Sequence, residues 1–259
     1  MIQIINIQHI GKNILNSLET QKDSYRMFHN AMKNITVLKN PSIRSVLYRQ
    51  IYFTGIEALN KIVLLGTLIG IIIITQVKNI VGSNAVLTGK ILVWTMLREV
   101  GPLFAAIIII ARSCTAIAAE LGSMKVNREM DSLRVMGINP FFYLIIPRIA
   151  GITIAVFILT FYFQVSAIIG GLVLSSLLVD IPFFQHVASI FSVLSFFEIG
   201  ISFLKSAIFG LVISTVSCYH GFGVQASITE IPQATIKAVM QSLFIVFIFN
   251  GIITLISFL

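Results

Sequence analysis

Three stretches of this chain carry no Asp, Glu, Lys or Arg: residues 149–179, 206–229 and 238–259. Each reaches or exceeds the roughly 20 residues that cross a hydrocarbon core about 30 Å thick. In lipid, every backbone polar group must be satisfied within the segment, which leaves only helices and closed barrels as spanning structures. The runs are long, continuous and apolar rather than alternating, so they predict transmembrane helices. Composition agrees: of 259 residues 57% are apolar and 11% charged, where a soluble domain carries about 25% charged residues.

Two further spans follow. The first, about residues 53–77, has Glu57 and Lys61 one turn apart near its start, placed to pair and snorkel. Gly66 and Gly70 give it a small-xxx-small face for close helix packing. The second, about 87–119, is long for one crossing and holds Arg98, Glu99, Gly101 and Pro102 in its middle, so Gly101 and Pro102 predict a kink. The remaining spans are placed at about 149–177, 198–219 and 237–259. The fold class expected is an all-α integral membrane protein of five transmembrane helices.

Residues 1–49 read as an interfacial amphipathic helix. Ile7, Ile10, Ile14, Leu18, Tyr25, Phe28, Met32 and Ile35 recur at helical spacing, with Lys12, Lys22, Lys33 and Lys39 around them, until Pro41 interrupts. Residues 120–148 are too charged for hydrocarbon and read as a loop with a short helix ended near Gly137 and Pro140. Orientation follows from Lys and Arg in short loops. Seven precede the first full span, from Lys12 to Arg49, and Arg112, Lys125, Arg128, Arg134 and Arg148 flank the 120–148 loop. The opposite side has Lys78 and Lys90, so the N-terminus and this loop are expected in the cytoplasm and the C-terminus outside. The net charge of +8 is thus topogenic and lipid-facing, with no nucleic-acid partner expected.

No catalytic constellation is visible. His9, His29, His186 and His220 have no metal-ligand spacing, and Cys114 and Cys218 sit in apolar stretches as buried thiols. Gly82 and Gly89-Lys90-Ile91 miss a phosphate loop: six residues separate the glycines instead of four, and Ile91 replaces the metal-binding hydroxyl. The chain is therefore expected to bind no metal or cofactor and to hydrolyse no ATP itself. The chemistry-bearing residues are the intramembrane charges Arg98, Glu99 and Lys205. Such charges cost about 2.5–3.5 kcal/mol or more at the bilayer centre and mark substrate paths. Arg98 and Glu99 point about 100° apart on a helix, so separate partners are expected for them.

These residues also carry a resemblance. Arg98-Glu99-Val-Gly101-Pro102, Ala119-Glu120-Leu-Gly122-Ser-Met124-Lys125-Val126, Met130-Asp131-Ser-Leu133 and Met136-Gly137-Ile-Asn139-Pro140 resemble the MlaE/YrbE family of ABC permeases. So do Pro147-Arg148, Leu204-Lys205-Ser206 before Phe209-Gly210, and Ala234-Thr235 before Ala238-Val239. The similarity covers about residues 50–259. Asn127 and Arg128 depart from the usual Thr-Glu, and Glu198 stands where Asp is common. The resemblance implies a homodimer in a bacterial inner membrane, or in the plastid inner envelope of a plastid-bearing host. It implies a cytoplasmic ATPase that binds ATP and magnesium, an MCE-domain substrate-binding protein, in some complexes a STAS-domain protein, and a cargo of phospholipids or related lipids. Arg98, Glu99 and Lys205 would line the path. Glu120, Met124, Lys125, Arg128, Met130, Asp131, Leu133 and Arg134 would couple to the ATPase, with Met130 and Leu133 on the docking side of a short coupling helix. An ion-driven secondary transporter or channel is the competing class, although only the second span is interrupted and five spans do not divide into two repeats.

Overall fold

The computed structural model describes residues 21–82, 85–179, 187–188, 190, 194–225 and 227–258, and among these there is no strand. Ile7, Ile10, Lys12, Ile14, Leu18, most of the 178–197 connection and Leu259 lie outside the described residues.

The first described helix is α1, residues 21–33, which buries Ser24 and Ala31 while Tyr25 and Met32 stay exposed. A 3₁₀ turn at Ile35–Lys39 leads to Asn40, whose side chain accepts from the Ser42 N–H. With Pro41 at the first helical position, this cap starts α2, Pro41–Val81. The second long helix is α3, Gly89–Val126. A short helix α4, Glu129–Val135, is followed by α5, Phe141–Leu174, α6, Phe196–Phe222, and α7, Glu230–Phe258. Among the described residues, helices α2, α3, α5, α6 and α7 are the five long and apolar enough to cross a membrane.

Helices run further than the apolar runs suggested. Residues 120–126 continue α3 and 141–148 begin α5, so the charged loop contracts to α4 and its flanks. Charge density marks where hydrocarbon is expected to end, but a helix does not stop there. Arg128 connects α3 to α4 with φ 60°, a left-handed conformation costly for a side-chain-bearing residue. Glu129 and Asp131 in the first turn and Arg134 in the last suit the α4 dipole. Gly137, with φ 77°, ends it: Gly137 N–H reaches Arg134 O at 3.0 Å and Ile138 N–H reaches Leu133 O at 2.9 Å, a Schellman stop. Asn139 Oδ1 then accepts from Phe141 N–H at 3.0 Å to open α5.

Helix α5 is the centre of the bundle, packing against α2, α3 and α6. Its contact with α2 depends on the Gly66–Gly70 face. A Cβ on Gly66 would lie 2.9 Å from Phe163 O, and one on Gly171 would lie 2.8 Å from the Gly70 carbonyl carbon. Gly210 of α6 approaches the Thr153 backbone, and Gly221 approaches Ala118 of α3. In lipid, such backbone proximity supplies the dispersion contacts that hydrophobicity does not. Glu57 does not pair with Lys61. It bonds Arg112 Nη2 at 2.6 Å, tying α2 to α3, because a guanidinium on a facing helix offers a fork that a lysine one turn away cannot. Helix α7 buries Ala238, Ser242 and Val246 but leaves Met240, Phe244, Phe247, Leu255 and Ile256 exposed.

Candidate functional site

Where a kink is expected in α3, a π-helical segment, Trp94–Val100, is followed directly by Gly101 and Pro102. Proline has no N–H, so the carbonyls four and five residues before it, Arg98 O and Leu97 O, lose their helical donor. Two side chains from other helices replace it. Lys205 Nζ of α6 donates to Arg98 O at 2.9 Å, and Gln164 Nε2 of α5 donates to Leu97 O at 3.0 Å. Gln164 Nε2 also lies 2.6 Å from Ser202 Oγ of α6. Glycine at 101 makes room: a Cβ there would sit 2.5 Å from Gln164 Cγ. Helix-breaking residues inside an apolar helix thus become the docking point of three helices.

Around this point the predicted charges converge. The Lys205 ammonium is fully buried and lies 2.9 Å from both Glu99 carboxylate oxygens and from Thr254 Oγ1. Thr254 Oγ1 donates to Glu99 at 3.0 Å, and Asn250 Nδ2 donates at 3.3 Å. Arg98 bonds Ser257 of α7 and faces Glu198 at 3.8 Å, with Nε 3.9 Å from Glu99 Oε1. Sequence adjacency did not fully separate Arg98 from Glu99: the 3.9 Å approach exists, although the strong partner of Glu99 is Lys205. The cluster is charge-balanced, two cations against Glu99 and Glu198. Glu99 is its most accessible member, with 32% of its side chain exposed.

Gln164, Asn250, Thr254, Ser257 and Glu198 were not singled out as site residues from the sequence. For Gln164 a signal existed: it is an amide inside a charge-free span, and Pro102 announces an unpartnered carbonyl. Replacing Gln164 by leucine should destabilise the protein by about 1–3 kcal/mol, because Leu97 O would be buried without a donor. Thermal unfolding in detergent measures this; an unchanged midpoint would show that the bridge is dispensable.

The residues expected to meet an ATPase divide. Glu120, Met124 and Lys125 lie on the last turns of α3, where Glu120 Oε1 accepts from Arg148 Nη2 of α5 at 2.7 Å. Arg128, Asp131 and Arg134 are exposed on α4 or its start. Met130 is 0% exposed and Leu133 is partly buried against the core, so these two hold α4 to its own subunit rather than offering a docking side. On so short a helix the buried face is the one turned to the bundle. The exposed apolar residues are Val135, 89% exposed, and Met136.

Five helices long and apolar enough to cross a membrane, packed around a buried polar junction, are the build of a polytopic membrane protein. The chain belongs to the Permease MlaE family, whose profile matches residues 47–256. It is 27% identical over 223 residues to a probable ABC transporter permease protein of Rickettsia typhi, covering 85% of each chain. A probable ABC transporter permease of Synechocystis is 28% identical over 211 residues, 81% of this chain and 80% of that one. The chloroplastic protein TRIGALACTOSYLDIACYLGLYCEROL 1 of Arabidopsis thaliana is 30% identical over 209 residues, 80% of this chain and 59% of that protein. ABC permeases as a class work with an ATPase.

Proposed function

We propose that this chain is the membrane subunit of a homodimeric ABC transporter that moves phospholipids or related lipids between the inner and outer membranes, driven by a separate cytoplasmic ATPase. ATP and magnesium would bind on that partner, with an MCE-domain protein outside and in some assemblies a STAS-domain protein alongside. The observation that carries the reading is the cluster of Arg98, Glu99 and Lys205, balanced by Glu198, among apolar helices. In an apolar interior, charges of this kind are kept where an ionic group must pass. A lipid phosphate entering the cluster could take the place of Glu99 as counter-ion to Lys205, with Arg98 offering a bidentate fork. The exposed apolar face of α7 suits a second copy of the chain or acyl chains, and the galactolipid in the Arabidopsis relative's name is in keeping with a lipid cargo.

Positive charge at α1, α2 and α4 orients the N-terminus and α4 toward the cytoplasm and the end of α7 outward. In a bacterium this membrane is the inner membrane, and in a plastid-bearing host the plastid inner envelope. Helix α4 then meets the ATPase with Val135 and Met136 inside a rim of Arg128, Asp131 and Arg134. Val135→Glu/Met136→Glu should lower ATPase recovery on a tagged permease at least about tenfold, as for truncation of an interface anchor. Full recovery by the double variant would remove α4 as the coupling element. Recovery of no ATPase at all by the wild-type permease would contradict the transporter class.

A further inference from the structure

A second charged recess, of about 540 Å³, lies between α2, α3 and α5, formed by residues at 46–57, 112–124 and 143–148 and sharing no residue with the Glu99–Lys205 cluster. Arg49, Arg112 and Arg148 line it against Glu57 and Glu120, leaving one positive charge in excess. The acids are not equally committed. Glu57 and the Phe53 carbonyl hold Arg112 at 2.6 and 2.8 Å, across the α2–α3 contact. Arg148 has a single hydrogen bond among the described residues, Nη2 to Glu120 at 2.7 Å. Its Nε and Nη1 are buried and have no acceptor there. The Arg148 side chain is 5% exposed, whereas that of Glu120 is 57% exposed.

This is an unusual way to bury a guanidinium. Unmade hydrogen bonds of a buried cation are costly, and an isolated buried ion pair is not a sufficient return. A mostly solvated carboxylate is also the easiest of counter-ions to displace. Val46, Phe53, Ile117 and Leu144 supply apolar wall, and Thr54 and Tyr143 line the same space. Tyr48 and Tyr52, exposed on the adjoining turns of α2, sit as aromatic side chains do at headgroup depth. Cationic and hydrogen-bonding on one side, apolar on the other, and at the membrane boundary, the recess has the character of a phospholipid headgroup together with the first part of its chains.

We propose that this recess binds an anionic phospholipid of the cytoplasmic leaflet, its phosphate replacing Glu120 on Arg148 and drawing in Arg49. The fork of Arg148 then makes paired charge-assisted bonds to phosphate oxygens, and the acyl stem lies along Phe53 and Leu144. The site is independent of the central cluster and would exist whether or not that cluster carries cargo.

The test reads the recess directly. The chain's single tryptophan, Trp94, is replaced by phenylalanine, and Phe53→Trp installs a reporter at the recess. The protein in neutral detergent is titrated with phosphatidylglycerol bearing brominated chains, and separately with diacylglycerol bearing the same chains but no phosphate. Phosphatidylglycerol should quench at about tenfold lower concentration, the worth of a charge-assisted hydrogen bond, and Arg148→Gln or Arg49→Gln should raise it to the diacylglycerol level. Arg49 is exposed, so its variant decides the matter if Arg148→Gln fails to fold. Glu99→Gln should leave this quenching unchanged, so failure here is distinguishable from failure of the central site. Equal quenching by the two lipids, or an undiminished preference in the arginine variants, would overturn the proposal. Abolition of the preference by inorganic phosphate would assign the recess to a free anion and overturn the lipid.

Discussion

Lys205→Met should be among the most damaging single substitutions in the protein, lowering the thermal midpoint steeply or preventing accumulation in the membrane. The ammonium is the shared donor for Glu99 and for the Arg98 carbonyl that Pro102 leaves without an N–H. Removing it takes from Glu99 its close counter-ion and leaves the Arg98 carbonyl without a donor, and breaking a buried pair from one side costs about 3–5 kcal/mol, the upper figure for a fully buried partner. The partner substitution behaves differently. Glu99→Gln removes the negative charge but keeps an acceptor for Lys205 and Thr254, so the protein should fold while the charge balance shifts by one unit. The double variant Glu99→Gln/Lys205→Met has no stranded charge and should recover much of the lost stability. Unfolding of the variants in detergent, followed by size-exclusion chromatography after heating, reads this directly. A Lys205→Met midpoint equal to wild type would show that the ammonium is not the keystone of the junction.

Gly70→Ala should be nearly as severe, for a different reason. The added methyl would meet the backbone of Ala167, with its Cα at 3.0 Å and its carbonyl nearer still, and backbone cannot swing aside as a side chain can. Overpacking of this kind costs about 1–3 kcal/mol where side chains alone must shift, and here α2 must move away from α5. Gly200, in α6, has nothing within 4 Å of the corresponding position, so Gly200→Ala is the matched control and should be neutral or slightly stabilising. If Gly70→Ala unfolds at the same temperature as Gly200→Ala, the α2–α5 crossing is looser than described.

Most of the architecture was legible in the sequence because lipid imposes one rule on every span. Uninterrupted apolar runs announced α5, α6 and α7. The spacing of Gly66 and Gly70 announced a close crossing, and the crossing is there against α5. The ends of helices were less legible. Charge marks where hydrocarbon is expected to end, while α3 continues to Val126 and α5 begins at Phe141, because the left-handed Arg128 and the Asn139 cap set those ends and not polarity. Of the site, Arg98, Glu99 and Lys205 stood out by the cost of placing charge in hydrocarbon. Their partners on α7, Asn250, Thr254 and Ser257, did not, since single polar residues at i, i+4 and i+7 of an apolar helix are common and only tertiary packing shows which charged group each meets. The burial of Met130 was not legible for a related reason. Composition identifies an amphipathic helix, but on a seven-residue helix beside a bundle it does not say which neighbour the apolar side faces.

The central claim is that the Arg98–Glu99–Lys205 junction handles lipid during transport. The most direct measurement is ATP-dependent movement of fluorescent phospholipid out of proteoliposomes that contain the permease with its ATPase, comparing wild type with Glu99→Gln and Arg98→Gln. Variants that remain folded, dimeric and ATPase-bound but lose most of the lipid movement are the predicted result. Wild-type rates of lipid movement in both variants would contradict the account.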